Sequence, residues 1–120
     1  MEKLTKQEEE AMLSIWQLGR GTIGQILDNM PEPRPPYTTL ASTLKNLEKK
    51  QYLGFKRYGN VYEYYPLITH EAYKKGFVGN VVQHYFQNSY KEMVTFFAKE
   101  QQISAEELRE ILEMIEQQKP

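Results

Sequence analysis

Between Pro33 and Asn60 the chain carries six cations, Arg34, Lys45, Lys49, Lys50, Lys56 and Arg57, against the single carboxylate of Glu48. Threaded among them are Thr38, Thr39, Ser42 and Asn46. This mixture has the chemistry of polyanion recognition. Ammonium and guanidinium groups neutralise phosphates, Thr and Ser hydroxyls serve base edges or phosphate oxygens, and an Asn amide can pair with adenine through two bonds. The whole chain has a formal charge of -1, so the remainder outside this stretch is net -6. Affinity for nucleic acid is therefore confined to one local face, since bulk charge supplies none.

Enzymatic chemistry has little material to work with. There is no cysteine, which removes disulfides, thiolate nucleophiles and thiolate metal sites together and fits a reducing compartment. The two histidines, His70 and His84, stand fourteen residues apart on one expected helix, roughly 40° out of alignment and several turns distant. No metal site, catalytic group or cofactor is expected. Glu106, Glu107, Glu110, Glu113 and Glu116 read as a solvated acidic helix face that discourages DNA at that end. Apolar runs fall far short of the ~20 residues of a membrane span, and the chain opens straight into charged helical sequence, so a cytoplasmic location is expected.

The elements that would position the basic stretch follow from periodicity and capping. With 120 residues, 40% hydrophobic and 26% charged, the composition is that of a folded domain rather than a disordered chain. Thr5 to Glu8 forms a capping box that opens a first helix with Ala11, Met12, Ile15 and Trp16 inward, closed by Gly19 and Gly21. Thr22 caps a short second helix carrying Ile23, Ile26, Leu27 and Met30 and stopped by Pro31. Residues 31–36 hold four of the six prolines and form a stiff, extended connection. A third helix from Tyr37 to Lys50 turns Leu40, Leu44 and Leu47 inward and Thr38, Ser42, Lys45, Asn46 and Lys49 outward. Two aromatic-rich runs, 52–57 and 61–65, then flank a Tyr58-Gly59-Asn60 turn and read as a β-hairpin ended by Pro66, with Tyr62 and Tyr64 as core residues.

Everything downstream reads helical. Thr69 caps a helix with a stripe of Val78, Val81, Val82, Tyr85 and Phe86; a second follows with Tyr90, Met93, Val94, Phe96 and Phe97. A capping box at Ser104 to Glu107 opens the last, with Leu108, Ile111, Leu112 and Ile115. These three short helices carry more apolar surface than ~50 residues can hide internally, so a partner is expected, most simply a second copy. Val78, Val82, Phe86, Val94, Phe97, Leu108, Ile111, Leu112 and Ile115 are its expected dimerisation residues.

The order helix, helix, helix, hairpin is that of a winged helix-turn-helix, mainly α, with a DNA-binding domain over residues 1–67 and a small helical dimerisation domain over 68–120. The first helix with Trp16, the segment TLASTLKNLEKKQYL from Thr39 to Leu53, the wing end GNVYEYYP, and the late segments FVGNVVQHYF and SYKEMVTFFAKEQQISAEELREI together resemble the BlaI/MecI family of penicillinase repressors over nearly the whole chain. The resemblance implies a homodimeric repressor on an inverted-repeat operator, controlling β-lactam resistance or a similar stress-response gene and relieved when a membrane sensor protease leads to its cleavage. It further implies that Tyr37, Thr38, Thr39 and Ser42 approach base edges and adjacent phosphates. Lys45, Asn46 and Lys49 then follow the backbone, while Lys56 and Arg57 anchor the wing. The cleavage region maps onto Phe96 and Phe97, without the Asn that precedes the scissile bond in that family. Two further departures point to fewer phosphate contacts: Gly59-Asn60 stands where the wing turn often reads Gly-Arg, and Asn46 replaces a common Arg. With no cysteine, the copper-responsive branch with its C-terminal cysteine cluster is not the expected one. From a different class, the rival reading is a winged-helix scaffold that binds only protein.

Overall fold

The computed structural model describes residues 2–118. Its elements run α1 (Lys6–Leu18), α2 (Ile23–Asp28), α3 (Tyr37–Lys49), β1 (Leu53–Tyr58), β2 (Val61–Pro66), α4 (His70–Tyr85), α5 (Tyr90–Lys99) and α6 (Ala105–Gln117). The chain divides into two compact units, residues 1–74 and 75–120.

In the first unit the helix starts are fixed locally. Thr5 Oγ1 accepts from the Glu8 amide at 3.1 Å while Glu8 Oε1 accepts from the Thr5 amide at 2.9 Å. Thr22 and Gln25 make the same reciprocal pair. Each box satisfies amides that a helix start leaves without partners, worth about 1 kcal/mol. Gly19 ends α1 at φ 84°, a conformation that strains any side chain with a Cβ. Asp28 ends α2, so Met30 lies beyond the helix yet is buried in the same core.

Ala11, Met12 and Ile15 of α1, Ile26 of α2 and Leu40, Leu44 and Leu47 of α3 meet in a core closed by Tyr52, Leu53 and Tyr64. β1 and β2 pair antiparallel from Leu53↔Pro66 to Tyr58↔Val61, leaving Gly59 and Asn60 as the turn. Gly59 takes φ 61°, as the first position of a type II′ turn requires. Gly21 adds a third, single-residue rung, exchanging hydrogen bonds of 2.9 and 2.8 Å with Tyr64. The first turn of α4 belongs to this unit: Trp16 Nε1 donates to the Ile68 carbonyl at 2.9 Å, and the His70 ring stacks on Trp16 at 4.5 Å. Tyr73 Oη donates to Glu9 at 2.6 Å, and burial together with that carboxylate pushes the phenol above its ordinary range.

At the start of α4 Thr69 Oγ1 accepts from the Ala72 amide, still within the first unit; in the second unit Ser89 caps α5 and Ser104 with Glu107 boxes α6. Phe86, Phe96 and Phe97 form an aromatic cluster with centroids 5.3–6.5 Å apart. Val82 is fully buried. Val82, expected among the dimerisation residues, thus differs from the rest of the stripe in being covered within the single chain. Most of the remaining apolar stripe stays uncovered, including Val78, Val94, Phe96, Phe97, Ile111, Leu112 and Ile115, while Phe86 and Leu108 are half-buried.

Candidate nucleic-acid interface

Helix α3 owes its two faces to one spacing. Leu40, Leu44 and Leu47 recur at i, i+4, i+7 and are at most 1% exposed, which fixes the rotation of the helix on the core. Thr38, Ser42, Lys45 and Lys49 recur at i, i+4, i+7, i+11 on the opposite side, and all four are exposed. The helix begins at Pro36 without a side-chain cap, so its first amides are not claimed by the protein's own side chains. Asn46 is exposed and borders the stripe on the Thr39 side.

Two expected contact residues sit off this stripe. Thr39 is half-buried and lines a shallow groove with Gln7, Glu10, Met30 and Pro33, and its carbonyl accepts from Thr43 Oγ1 at 3.0 Å. Tyr37, exposed at the start of the helix, shares its side with Ala41 and Glu48 by the same spacing. Glu48 is the one anion of the basic stretch, and it is turned toward the wing. Burial first, and then the charge and hydrogen bonding of the Glu48 carboxylate, hold the Tyr64 phenol above its usual range. The outward stripe therefore carries hydroxyls and ammonium groups with no carboxylate among them.

The cations also divide by employment. Arg34 donates through Nε to the Met30 carbonyl at 2.8 Å and through an η nitrogen to the Asp28 carbonyl at 2.9 Å, tying down the proline-rich connection. Lys50 pairs with the buried Glu8 at 2.6 Å and also donates to the Lys3 carbonyl. Both serve the fold. Lys45, Lys49, Lys56 and Arg57 remain exposed.

On the wing, Arg57 stands opposite Tyr62 and Lys56 opposite Glu63. Neighbouring strand residues point to opposite faces, so the two cations do not share a side. Arg57 Nε donates to the Gly59 carbonyl at 2.8 Å and its guanidinium lies 5.9 Å from the Tyr62 ring centroid. Tyr62 itself stacks on Phe55 at 4.9 Å and is 39% exposed. Its expected place in the core is corrected: Tyr62 shares a face with buried Tyr64, but the hairpin has by then run past the helices that would cover it. Glu63, opposite Lys56, lies instead 3.8 Å from Arg20.

The model of the family described as penicillinase repressor matches residues 4–117. The chain belongs to the penicillinase repressor family. It is accordingly a DNA-binding transcriptional repressor with the winged-helix fold. Comparison with curated proteins finds no match. Among solved structures, one titled "CopR Repressor Structure" aligns with 28% identity and a TM-score of 0.47, covering 56% of this chain and 99% of that one. Among the described residues, no group of three or more His, Asp or Glu side chains could hold a metal ion, and no helix is long and apolar enough to cross a membrane.

Proposed function

We propose that this repressor acts as a homodimer that occupies an inverted-repeat operator, laying α3 of each copy in a major groove and a wing beside it. The observation that carries the reading is the exposed, carboxylate-free stripe of Thr38, Ser42, Lys45 and Lys49 on α3. Thr38 and Ser42 meet base edges and adjacent phosphates near the helix start; Lys45, Asn46 and Lys49 neutralise the backbone further along. Tyr37 and Thr39 flank this contact. The second unit supplies the two-fold interface through Val78, Val94, Phe97, Ile111, Leu112 and Ile115, with Phe86 and Leu108 at its margin. Burying one stripe against its copy sets two reading helices about one DNA turn apart, or a multiple of it. The division of labour is a reading domain up to residue 67 and a dimerisation domain from 68 onward.

The regulated genes in this proposal serve β-lactam resistance or a similar stress response in the cytoplasm, and relief comes from proteolysis at Phe96 and Phe97 on α5, prompted by a membrane sensor protease. Both phenylalanines are exposed and belong to the aromatic cluster with Phe86, so a cut there dismantles the face that holds two copies together.

The test is selection of retained duplexes from a random library, followed by titration at several salt concentrations. An inverted repeat is expected, with Lys49→Ala weakening binding to every sequence and lowering the salt slope by about one. Retention of no duplex at low salt would overturn the proposal and leave the protein-binding scaffold.

A further inference from the structure

Leu40 is the first residue of α3 to be buried in the core; Tyr37 and Thr38 stand ahead of it, exposed, and the core does not place them. What places them is the chain that enters the helix. The Leu40 amide donates to the Pro36 carbonyl at 3.0 Å, so the first turn hangs between these two residues. Before Pro36 comes Pro35, and before that Arg34, whose guanidinium donates to two carbonyls at the end of α2: Nε to Met30 at 2.8 Å and an η nitrogen to Asp28 at 2.9 Å. The Glu32 carboxylate, 3.8 Å from Nε, adds only a loose ion pair. The end of α2 is in turn fixed on α1. Ser14 Oγ donates to the Ile26 carbonyl at 2.9 Å, and Asn29 Nδ2 donates to Ser14 Oγ at 3.2 Å and to Gln17 Oε1 at 3.0 Å.

Only two prolines separate this clasp from the first turn of α3. Each has its φ fixed by the ring, so little slack remains between the guanidinium and Thr38. A planar fork that holds two carbonyls at once also fixes direction, which the rotatable point charge of a lysine does not. Pro33, Arg34 and Pro35 line the groove beside Thr39, which keeps the connection against the flank of the helix. Such placement matters for one kind of DNA contact above all. A hydroxyl reads a base edge only while it stays in register with that edge, whereas neutralising a phosphate tolerates displacement. Resting on the operator reading proposed above, we infer that Arg34 is a positioning residue for sequence recognition: its clasp on the Asp28 and Met30 carbonyls, passed on through Pro35 and Pro36, sets Thr38 against the base edges. Its donors are spent inside the protein rather than on a phosphate.

The experiment uses the full-length protein, the inverted repeat it selects, and duplexes with single base-pair changes across each half-site. Thr38→Val and Ser42→Ala mark the pairs read from the start of α3 and from beyond Leu40, as those where each variant loses the discrimination of about tenfold expected of wild type. Arg34→Ala should bring discrimination toward unity at the Thr38 pairs, keep it at the Ser42 pairs and leave the salt slope unchanged. A merely structural loss would lower binding to every duplex in the same ratio. Arg34→Lys keeps the charge but not the two-pronged grip, and should behave like Arg34→Ala. Pro35→Gly leaves the clasp and loosens the link, so it should show the same selective loss, and it carries the test if Arg34→Ala folds poorly. Equal weakening on all duplexes in Arg34→Ala, with the salt slope lowered by about one and restored in Arg34→Lys, would overturn the inference and make Arg34 a phosphate anchor. Wild-type discrimination in both Arg34→Ala and Pro35→Gly, or in Thr38→Val, would overturn it as well. Failure of wild type to retain any duplex would instead strike the operator reading, so the two failures are distinct.

Discussion

Lys50 shows how a single ionic group can be misread from composition. In the sequence it is one more cation in a basic stretch; in the fold it is the partner of Glu8, whose side chain is only 5% exposed. Burial alone would push the Glu8 carboxyl up, but the Lys50 ammonium and the Thr5 hydrogen bonds outweigh it and leave the group below its ordinary value. A carboxylate depressed in the folded state adds stability above its unfolded pKa, and that stability is lost as pH falls through the depressed value. Glu8→Gln should therefore be less stable than wild type at neutral pH, with the difference closing below about pH 4. Urea midpoints at the two pH values check this. Lys50→Ala leaves Glu8 buried without its cation and should cost about 3 kcal/mol. Arg34 makes the same point, since its donors serve the Met30 and Asp28 carbonyls ahead of α3. Spacing alone identified Thr38, Ser42, Lys45 and Lys49 as one exposed row. It could not reveal which neighbouring cations the core's edge would recruit, because those partners lie about forty residues away in the case of Lys50.

Helix starts were far more legible than helix ends. The boxes at Thr5, Thr22 and Ser104 are short-range hydrogen-bond patterns, and all three form. Gly19 announces the end of α1, but α3 and α5 end with no glycine to announce them. Gln51 takes φ 66° and Gln101 φ 61°, each followed by an amide that reaches back into the last turn, Tyr52 to Leu47 and Gln102 to Phe97, both at 2.9 Å. These are left-handed closures that a side chain with a Cβ strains by roughly 1 kcal/mol. Gln51→Gly and Gln101→Gly should each raise stability by about that amount, seen as higher denaturant midpoints with unchanged slopes. Gly59 is the converse: it already occupies φ 61° at the wing turn, and Gly59→Ala should cost about 1 kcal/mol while disturbing the carbonyl that holds Arg57. The hairpin itself was evident from its aromatic alternation. That Tyr62 stays exposed while Tyr64 is buried was not, because period two assigns a face and says nothing of how far the neighbouring helices extend along it.

For the molecule as a whole, the unequal burial of the two units is the main consequence. The first owns a closed core from Leu4 to Tyr64; in the second Val82 is buried, but aromatic and aliphatic side chains on all three of its helices stay exposed. Charged replacements on that surface, Phe97→Glu or Leu112→Glu, should shift the chain to a monomer in sedimentation and weaken binding to a two-site duplex far more than to a single half-site. Persistence of the wild-type sedimentation profile in both variants would count against this interface. The chain's single tryptophan, Trp16, is half-buried and hydrogen-bonded to the Ile68 carbonyl, with the His70 ring stacked on it. Nature has thus installed an optical gauge where the first turn of α4 seats on α1: if that turn lifts away, indole emission moves to longer wavelength as water arrives, so its seating can be followed in real time with no label attached.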